Sequence, residues 1–137
     1  MDEQDKPLSL VLFSGTDDKL NAAAVLAVGA AAMGRPVNVF LQYYALRAFR
    51  AGKVHADHAL AWEATDSLAP VIRAHPGQHW SELLKQAKDV GEVNIQACAL
   101  SMDMFHLRPS DLDPLVDGVE GVAAFMASAG DGQVVFI

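Results

Sequence analysis

Cys98, the one cysteine in the chain, is the residue best suited to covalent chemistry. It lies in ACALSMDMFHL, residues 97–107, at the end of an apolar run with β-strand character, VNIQACAL. Ser101, followed by Asp103, predicts a capped helical turn just after this run. A thiol at a helix N-terminus faces the positive end of the helix dipole and unpaired backbone N–H groups, and both favour the thiolate.

Two interpretations of Cys98 stay open on this pattern. A thiolate at this position would be a nucleophile for thiol–disulfide exchange. Free cysteine is also among the most frequently buried residue types, so a small core residue is an equally direct explanation. The carboxylate of Asp103 would oppose a thiolate if it pointed inward. The first interpretation makes Cys98 the catalytic candidate, with Ser101 supporting the thiolate through the start of the turn.

Two further groups of residues have types that support a thiolate or bind an anion. His106 follows the predicted turn, where an imidazolium would stabilise a thiolate if it lay over the thiol; the alternative is an exposed histidine. Ser14, Gly15 and Thr16 follow the first apolar run and precede a predicted helix. Their N–H and hydroxyl groups suit an oxyanion such as a thiosulfonate, and the same residues would cap the helix in any case.

We expect neither a metal site nor a cofactor. His55 and His58 lie three residues apart on a predicted helix and can face the same way, but a catalytic zinc ion needs three protein ligands. The loop SGTDDK lacks the lysine and the glycine density of a P-loop. Asp17 and Asp18 in that loop would also repel a phosphate group.

The composition predicts one globular domain, residues 1–137, since 52% of the residues are hydrophobic and 20% are charged. A net charge of −7 with only 10 Lys and Arg side chains disfavours a nucleic-acid partner. The longest unbroken apolar run, residues 22–33, is shorter than the roughly 20 residues that cross a bilayer, so we expect no membrane insertion. A single cysteine and an acidic start, MDEQDKP, which does not resemble a secretory signal, favour a reducing cytoplasm.

Apolar runs alternate with helical patterns along the chain. This alternation predicts an α/β fold, a three-layer α/β/α sandwich with a mainly parallel sheet of about five strands. Residues 52–91 form a less certain helical segment within it. Sites in such sheets lie at the carboxyl ends of the strands. The loops after the first and third strands would share one site if those strands are neighbours. The predicted strands are residues 8–13, 37–44, 93–98, 116–120 and 133–137, and the clearest helices are 19–33, 82–88 and 122–128.

The pairing of SGTDDKLNAAAVLAVGAAAMG with CALSMDMFHLRPSDLDPLVDGVEGVAAFM resembles the DsrE/DsrF-like family of sulfur-trafficking proteins, in its soluble, peroxiredoxin-like branch. The resemblance covers about residues 8–44 and 93–137. It implies a flavodoxin-like α/β/α fold, homo-oligomers that are trimers or multiples of trimers, and a cysteine after a central strand. That cysteine, matched by Cys98, carries sulfur as a persulfide or a thiosulfonate. The family motif often has glycine where this chain has His106.

The functional hypothesis that follows is a sulfur carrier or sulfurtransferase. Cys98 would hold sulfane sulfur or a thiosulfonate and pass it to a thiol of a partner protein. Its partners would be sulfur-donor and sulfur-acceptor proteins and small sulfur anions. Whether turnover is enzymatic or stoichiometric stays open. The alternatives are a non-covalent binding module for a small anion or nucleotide, placed between the two loops, and a structural subunit that modulates partner enzymes.

Overall fold

A parallel sheet of five strands forms the centre of the protein in a computed structural model that describes residues 5–137. The strands lie in the order β4-β3-β2-β1-β5, and all four neighbouring pairs are parallel. The predicted α/β fold of three layers, flavodoxin-like in class, is confirmed. Most of the acidic start MDEQDKP lies outside the described residues. The strands are β1 (Leu8–Leu12), β2 (Val37–Leu41), β3 (Val93–Cys98), β4 (Gly118–Glu120) and β5 (Gln133–Phe136).

Helices cover the two faces of this sheet unequally. Helices α1 and α4 pack on one face, where alternate strand residues such as Leu10, Val39 and Ile95 are fully buried. Helix α6 crosses the other face, where Phe125 packs on Phe40. The helices are α1 (Asp17–Ala32), α2 (Tyr43–Ala48), α3 (Ala69–Ala74), α4 (Trp80–Val90), α5 (Ala99–Met104) and α6 (Val122–Ala129), and a 3₁₀ turn spans Pro109–Asp111.

The local sequence of helix α1 explains how closely it packs and where it ends. Its alanine-rich sequence lets it pack closely on the sheet and on α4, and Ala24 and Ala27 are fully buried. Gly34 ends it in the left-handed region at φ 81°, with its N–H donating to the carbonyl of Ala31 at 3.0 Å. The predicted glycine stop is therefore confirmed. The helix begins at Asp17, two residues before the predicted start.

The middle of the chain departs from the helical prediction. HADHALAWEATDSLAPVIRAH has helical spacing that Pro70 would end or kink, but residues 50–68 form mainly turns and only α3 is helical in this stretch. Backbone N–H groups that a helix would use internally instead donate to side chains of α1: His58 N–H to Asp17, and Ala61 N–H to Asp18. Tertiary hydrogen bonds thus override the helical pattern in this segment.

The strand order separates two loops that the sequence analysis places together. Strand β2 pairs with both β1 and β3, so β1 and β3 are not neighbours. The expectation of one shared site for the loops after these strands is wrong in this respect. The chain adds β2, β3 and β4 on one side of β1, and only β5 returns to the other side. Among the described residues, no helix has both the length and the apolar character needed to cross a membrane.

Candidate functional site

Cys98 is the last residue of β3 and the N-cap of α5. Its side chain is 5% exposed and packs in a small cluster on the α6 face with Phe40 and Phe125. Those two rings are stacked, with centroids 4.7 Å apart. The predicted position at a helix start is confirmed, but the thiol also contacts core side chains. Both features that the sequence offered as alternatives therefore coexist.

Ser101 has a different role from the predicted one. The helix begins at Ala99 with Cys98 as its cap, so Ser101 lies inside α5 and is not the cap. The side chain is fully buried, and its hydroxyl oxygen accepts a hydrogen bond from the N–H of Tyr43 at 3.0 Å. Tyr43 has a positive φ of 43°, a strained value for a residue other than glycine. Ser101 thus fixes α5, and with it the cysteine, against the start of α2.

His106 lies at the opposite end of α5 from Cys98 and is exposed. A helix of this length separates its two ends by roughly 9 Å. The backbone of His106 is therefore separated from that of Cys98 by the length of α5. His106 has φ 54°, in the left-handed region that glycine adopts freely. His106 therefore has the left-handed backbone conformation that suits the glycine often found at this position of the family motif.

The loop of Ser14, Gly15 and Thr16 is held mainly by its own contacts. The hydroxyl oxygen of Ser14 accepts the N–H of Thr16 at 3.2 Å, and the Ser14 N–H donates to the carbonyl of Ile137 at 3.3 Å. A Cβ on Gly15 would overlap the carbonyl oxygen of Tyr44, so this position requires glycine. The structure does not bring this loop to Cys98, because β2 lies between their strands.

Glu120 lies beside Cys98 and was missed by the sequence analysis. It is the register partner of Cys98 across the parallel pair β3–β4. Side chains of register partners point to the same face of a sheet, on strands roughly 5 Å apart. Burial raises the pKa of the Glu120 carboxyl above its usual value. Only the strand order places these two residues together, so no local pattern could have revealed the pair.

Asp17 is the centre of a second polar cluster at the start of α1. Its buried carboxylate accepts hydrogen bonds from the indole N–H of Trp80 at 2.9 Å, the guanidinium of Arg73 at 2.6 Å and the N–H of His58 at 2.8 Å. Burial alone would raise the pKa of Asp17, but these three donors outweigh it and hold the pKa below its usual value. This network ties the middle segment to α1.

Two histidines extend the Asp17 cluster. The Nδ1 of His79 accepts the N–H of Ser81 at 3.1 Å, and the Ser81 hydroxyl lies 3.2 Å from Nδ1 of His55. Ser81 stands just before the predicted helix 82–88, which predicts that it is the N-cap. That prediction is wrong, because α4 begins at Trp80 with His79 as its N-cap. Burial lowers the pKa of His79, although the nearby carboxylate of Asp17 opposes this. Within residues 5–137, no three His, Cys, Asp or Glu side chains are arranged to hold a metal ion.

Comparison with known proteins decides the family. A family model described as the DsrE/DsrF/DrsH-like family matches residues 4–66 and 56–137. The chain belongs to the DsrE/DsrF/DrsH-like family. This DsrE-like chain is 30% identical over 158 aligned positions to the uncharacterized protein YrkE of Bacillus subtilis (strain 168), and the alignment covers 98% of each chain.

A solved structure shares the fold of this DsrE-like chain. MTH1491 of Methanobacterium thermoautotrophicum, described as a protein of unknown function, superposes with a TM-score of 0.62. The superposition covers 97% of this chain and 100% of that one, at 13% sequence identity. At this identity the likeness concerns the fold alone.

Proposed function

We propose that this DsrE-like protein relays sulfur through Cys98, as a carrier or sulfurtransferase. Family membership indicates a role in sulfur relay at a coarse level. The observation that supports the finer assignment is the position of Cys98, at the carboxyl end of a central strand and at the start of α5. Ligand sites in open parallel sheets lie at this edge. As the one cysteine in the chain, Cys98 is the only residue through which a thiol route can pass.

The chemistry consists of two exchanges at sulfur. In the loading step, the Cys98 thiolate attacks the terminal sulfur of a donor persulfide; the new S–S bond forms, the donor S–S bond breaks, and the donor thiolate leaves. With thiosulfate the leaving group is sulfite. With tetrathionate it is thiosulfate, and Cys98 then carries a thiosulfonate. In the discharge step, an acceptor thiolate attacks the sulfur that is bonded to the Sγ of Cys98. The Sγ–S bond breaks, the acceptor gains this sulfur with any sulfonate attached to it, and Cys98 leaves as a thiolate.

Glu120 is the proton acceptor in this proposal. Its register with Cys98 places a carboxylate beside the thiol, and its raised pKa brings its basicity closer to that needed near neutral pH. Transfer of the thiol proton to Glu120 leaves a neutral acid beside a thiolate, so the pair carries one negative charge rather than two. The same proton returns when the thiolate is next protonated.

Because Cys98 is buried, its function requires that a sulfur donor can reach the thiol. Cys98 is 5% exposed and packs in one cluster with Phe125 of α6, which restricts the approach of a sulfur donor. Helix α6 has only eight residues, with Gly121 before it and Gly130 after it. A short helix with few partners opens more readily than the core around α1 and α4. We propose that displacement of α6 admits the sulfur donor.

The thin cover on the α6 face supports a proposal of self-association. Val122 and Met126 of α6, together with Val134 and Phe136 of β5, are exposed apolar side chains. Trp62 is also 87% exposed, whereas Trp80 is buried in the core. We propose a homo-oligomer, a trimer or a multiple of it in line with the family resemblance. Light scattering that shows a monomer at micromolar concentration would reject this proposal.

The setting proposed for this relay is a reducing cytoplasm, where a single thiol stays free between transfers. The partners are thiol proteins that donate and accept sulfur, together with small sulfur anions. Neither a nucleic acid nor a membrane is needed for either exchange. The net charge of −7 is unfavourable for binding to nucleic acid.

Transfer to an acceptor tests the relay as a whole. Protein treated with polysulfide and then desalted should convert an acceptor peptide thiol to its persulfide, and the acceptor should gain sulfur as the protein loses it. Cys98→Ser, handled in the same way, should transfer none. If the acceptor gains equal sulfur from wild type and from Cys98→Ser, residual polysulfide is responsible and the relay is rejected.

A further inference from the structure

A basic cavity of about 530 Å³ lies beside the loop that follows β1. Lys19, Arg47, Arg50 and His58 contribute to its wall. No carboxylate lines this cavity in the described part of the chain. The whole chain carries a net charge of −7, so a cavity lined only by basic and neutral side chains is unlike the average surface of this protein.

The lysine and arginine side chains of this cavity form no salt bridge within the described part of the chain. Within residues 5–137, Lys19, Arg47 and Arg50 have no carboxylate oxygen within 4.0 Å. The neighbouring carboxylates have other partners than the ammonium group of Lys19. Asp17 binds Arg73, and Asp18 accepts the N–H of Ala61 and the backbone N–H of Lys19. Positive charge at this cavity is therefore left for an outside anion.

The two arginines are held in place by contacts that leave their charge free. The Nε of Arg50 donates to the carbonyl of Arg47 at 2.9 Å. The guanidinium of Arg47 lies 5.6 Å from the ring centroid of Phe105, within the range of a cation–π contact. The contact of Arg50 uses only its Nε–H and leaves its two terminal NH2 groups, and the ring contact of Arg47 uses none of its N–H groups, so both arginines keep donors for a tetrahedral oxyanion.

Aromatic rings form the apolar part of the same cavity. Phe13 and Tyr44 both line it, and their rings meet edge to face at a centroid distance of 5.5 Å. A cavity of this volume falls in the range of small-molecule sites, roughly 300–1,000 Å³. A bare phosphate or sulfate ion would leave most of it empty. The volume and the rings indicate a ligand with a flat apolar body as well as an anionic group.

We infer that this cavity binds a small organic anion in which a phosphate or sulfonate group is attached to a flat, aromatic body. The arginines and Lys19 bind the oxyanion, and Phe13 and Tyr44 contact the ring. The hydroxyl groups of Ser14 and Thr16 lie 2.9 Å apart at the wall of the cavity and add polar contacts. The inference does not rest on Cys98 and stands independently of the sulfur relay.

Calorimetric titration of the full-length protein tests this inference. Phenyl phosphate and benzenesulfonate are the two probes, because they separate a phosphate ligand from a sulfonate one. Inorganic phosphate and phenol are the fragments of phenyl phosphate and serve as references for both probes. At least one aryl anion should bind at least about tenfold more tightly than either fragment. Arg47→Gln/Arg50→Gln should weaken it by about tenfold or more, because charged hydrogen bonds are lost. Cys98→Ser should bind as wild type does.

A charge-matched control separates a site from general attraction. Lys85→Gln/Arg108→Gln removes the same charge from exposed positions outside this cavity and should change the affinity less than twofold. If the two double variants weaken binding equally, or if neither aryl anion binds more tightly than inorganic phosphate, the inference is overturned. Lys19→Gln, at an exposed helix position, repeats the test should the arginine variant be less stable. If the wild-type protein takes up no sulfur but still binds the aryl anion, the sulfur relay is rejected and the present inference is not.

Discussion

The cysteine corner, formed by Cys98 with Phe40, Phe125 and Glu120, contrasts with the network around Asp17. Both lie at the carboxyl edge of the sheet, where β1 and β3 end. The cysteine corner is small and apolar, with one carboxyl beside it. The Asp17 carboxylate is buried too, but it accepts hydrogen bonds from three different donors.

The difference shows how burial acts on two kinds of group. A thiol is weakly polar, so it can be buried without partners and still be used when its cover moves. A carboxylate must be paired when it is buried, and its donors then become structural ties. We therefore interpret the Asp17 network as the frame that holds the middle segment, and the cysteine corner as the reactive part.

Removal of the Asp17 carboxylate should have the largest effect on stability. Asp17→Ala leaves the Trp80 indole and the Arg73 guanidinium without their acceptor, so the free energy of unfolding should fall by about 2–4 kcal/mol. Urea unfolding of the variant measures this. Asp57→Ala is the matched control, because that carboxylate is 87% exposed and lies 3.9 Å from the same arginine; its effect should be close to zero. Equal losses in the two variants would contradict the structural role of Asp17.

Acid should weaken the same network in two steps. His79 has a lowered pKa in the folded state, so below about pH 6.5 the unfolded state binds more protons and the free energy of unfolding falls. Asp17 also has a lowered pKa, so its contribution is present above about pH 4 and is lost as the pH falls further. Urea unfolding from pH 8 to pH 3 measures both.

The variant His79→Gln tests whether His79 causes the loss of stability between pH 7 and pH 5. His79→Gln should remove much of the decline between pH 7 and pH 5 and keep the decline at lower pH, because the glutamine does not titrate. Stability that is constant or rises as the pH falls from 7 to 5 in the wild type would contradict the lowered pKa of His79.

Glu120→Gln tests the proton acceptor at the cysteine corner. The amide cannot take the thiol proton, so alkylation of Cys98 near neutral pH should slow by about tenfold, a moderate share of what a general base provides. Alkylation rates with iodoacetamide across pH 6 to 9 measure the effect. The control Glu82→Gln lies at an exposed position on α4 and should react as the wild type does. Faster alkylation in Glu120→Gln would mean that the carboxylate merely repels the thiolate.

His106→Gly should have the smallest effect and the opposite sign. The φ of 54° at this position strains a histidine but not a glycine. The free energy of unfolding should therefore stay equal or rise by up to about 1 kcal/mol. His75→Gly is the matched control: this exposed histidine has φ −65°, so glycine there should lower stability by about 0.5–1 kcal/mol. Similar losses in both variants would show that the strain at His106 is negligible.

The sequence predicts those features that depend on neighbours along the chain. The strand before Cys98, the helix start after it and the glycine stop at Gly34 all follow from runs of a few residues, and the structure confirms them. The spacing of apolar residues reveals these elements, because each one is short and apolar on its buried side.

Contacts between distant residues explain what the sequence could not predict. Asp17 meets Trp80 across 63 positions, and Ser101 meets the N–H of Tyr43 across 58. The pairing of Cys98 with Glu120 depends on the order of the strands, which a strand pattern alone leaves open. The prediction that Ser101 caps its helix is wrong for the same reason, because the serine hydroxyl accepts a hydrogen bond from the N–H of Tyr43 at the start of another helix.

Intact-mass measurement after treatment with polysulfide tests the sulfur relay most directly. The wild-type protein should gain the mass of one or more sulfur atoms, located on Cys98 by peptide mapping, and a reductant should remove it, because persulfides are labile to thiols whereas sulfinic and sulfonic acids are not. Cys98→Ser should remain unmodified while keeping a cooperative unfolding transition. A wild-type protein that stays unmodified by polysulfide, thiosulfate and tetrathionate, while its Cys98 still reacts with iodoacetamide, would contradict the relay.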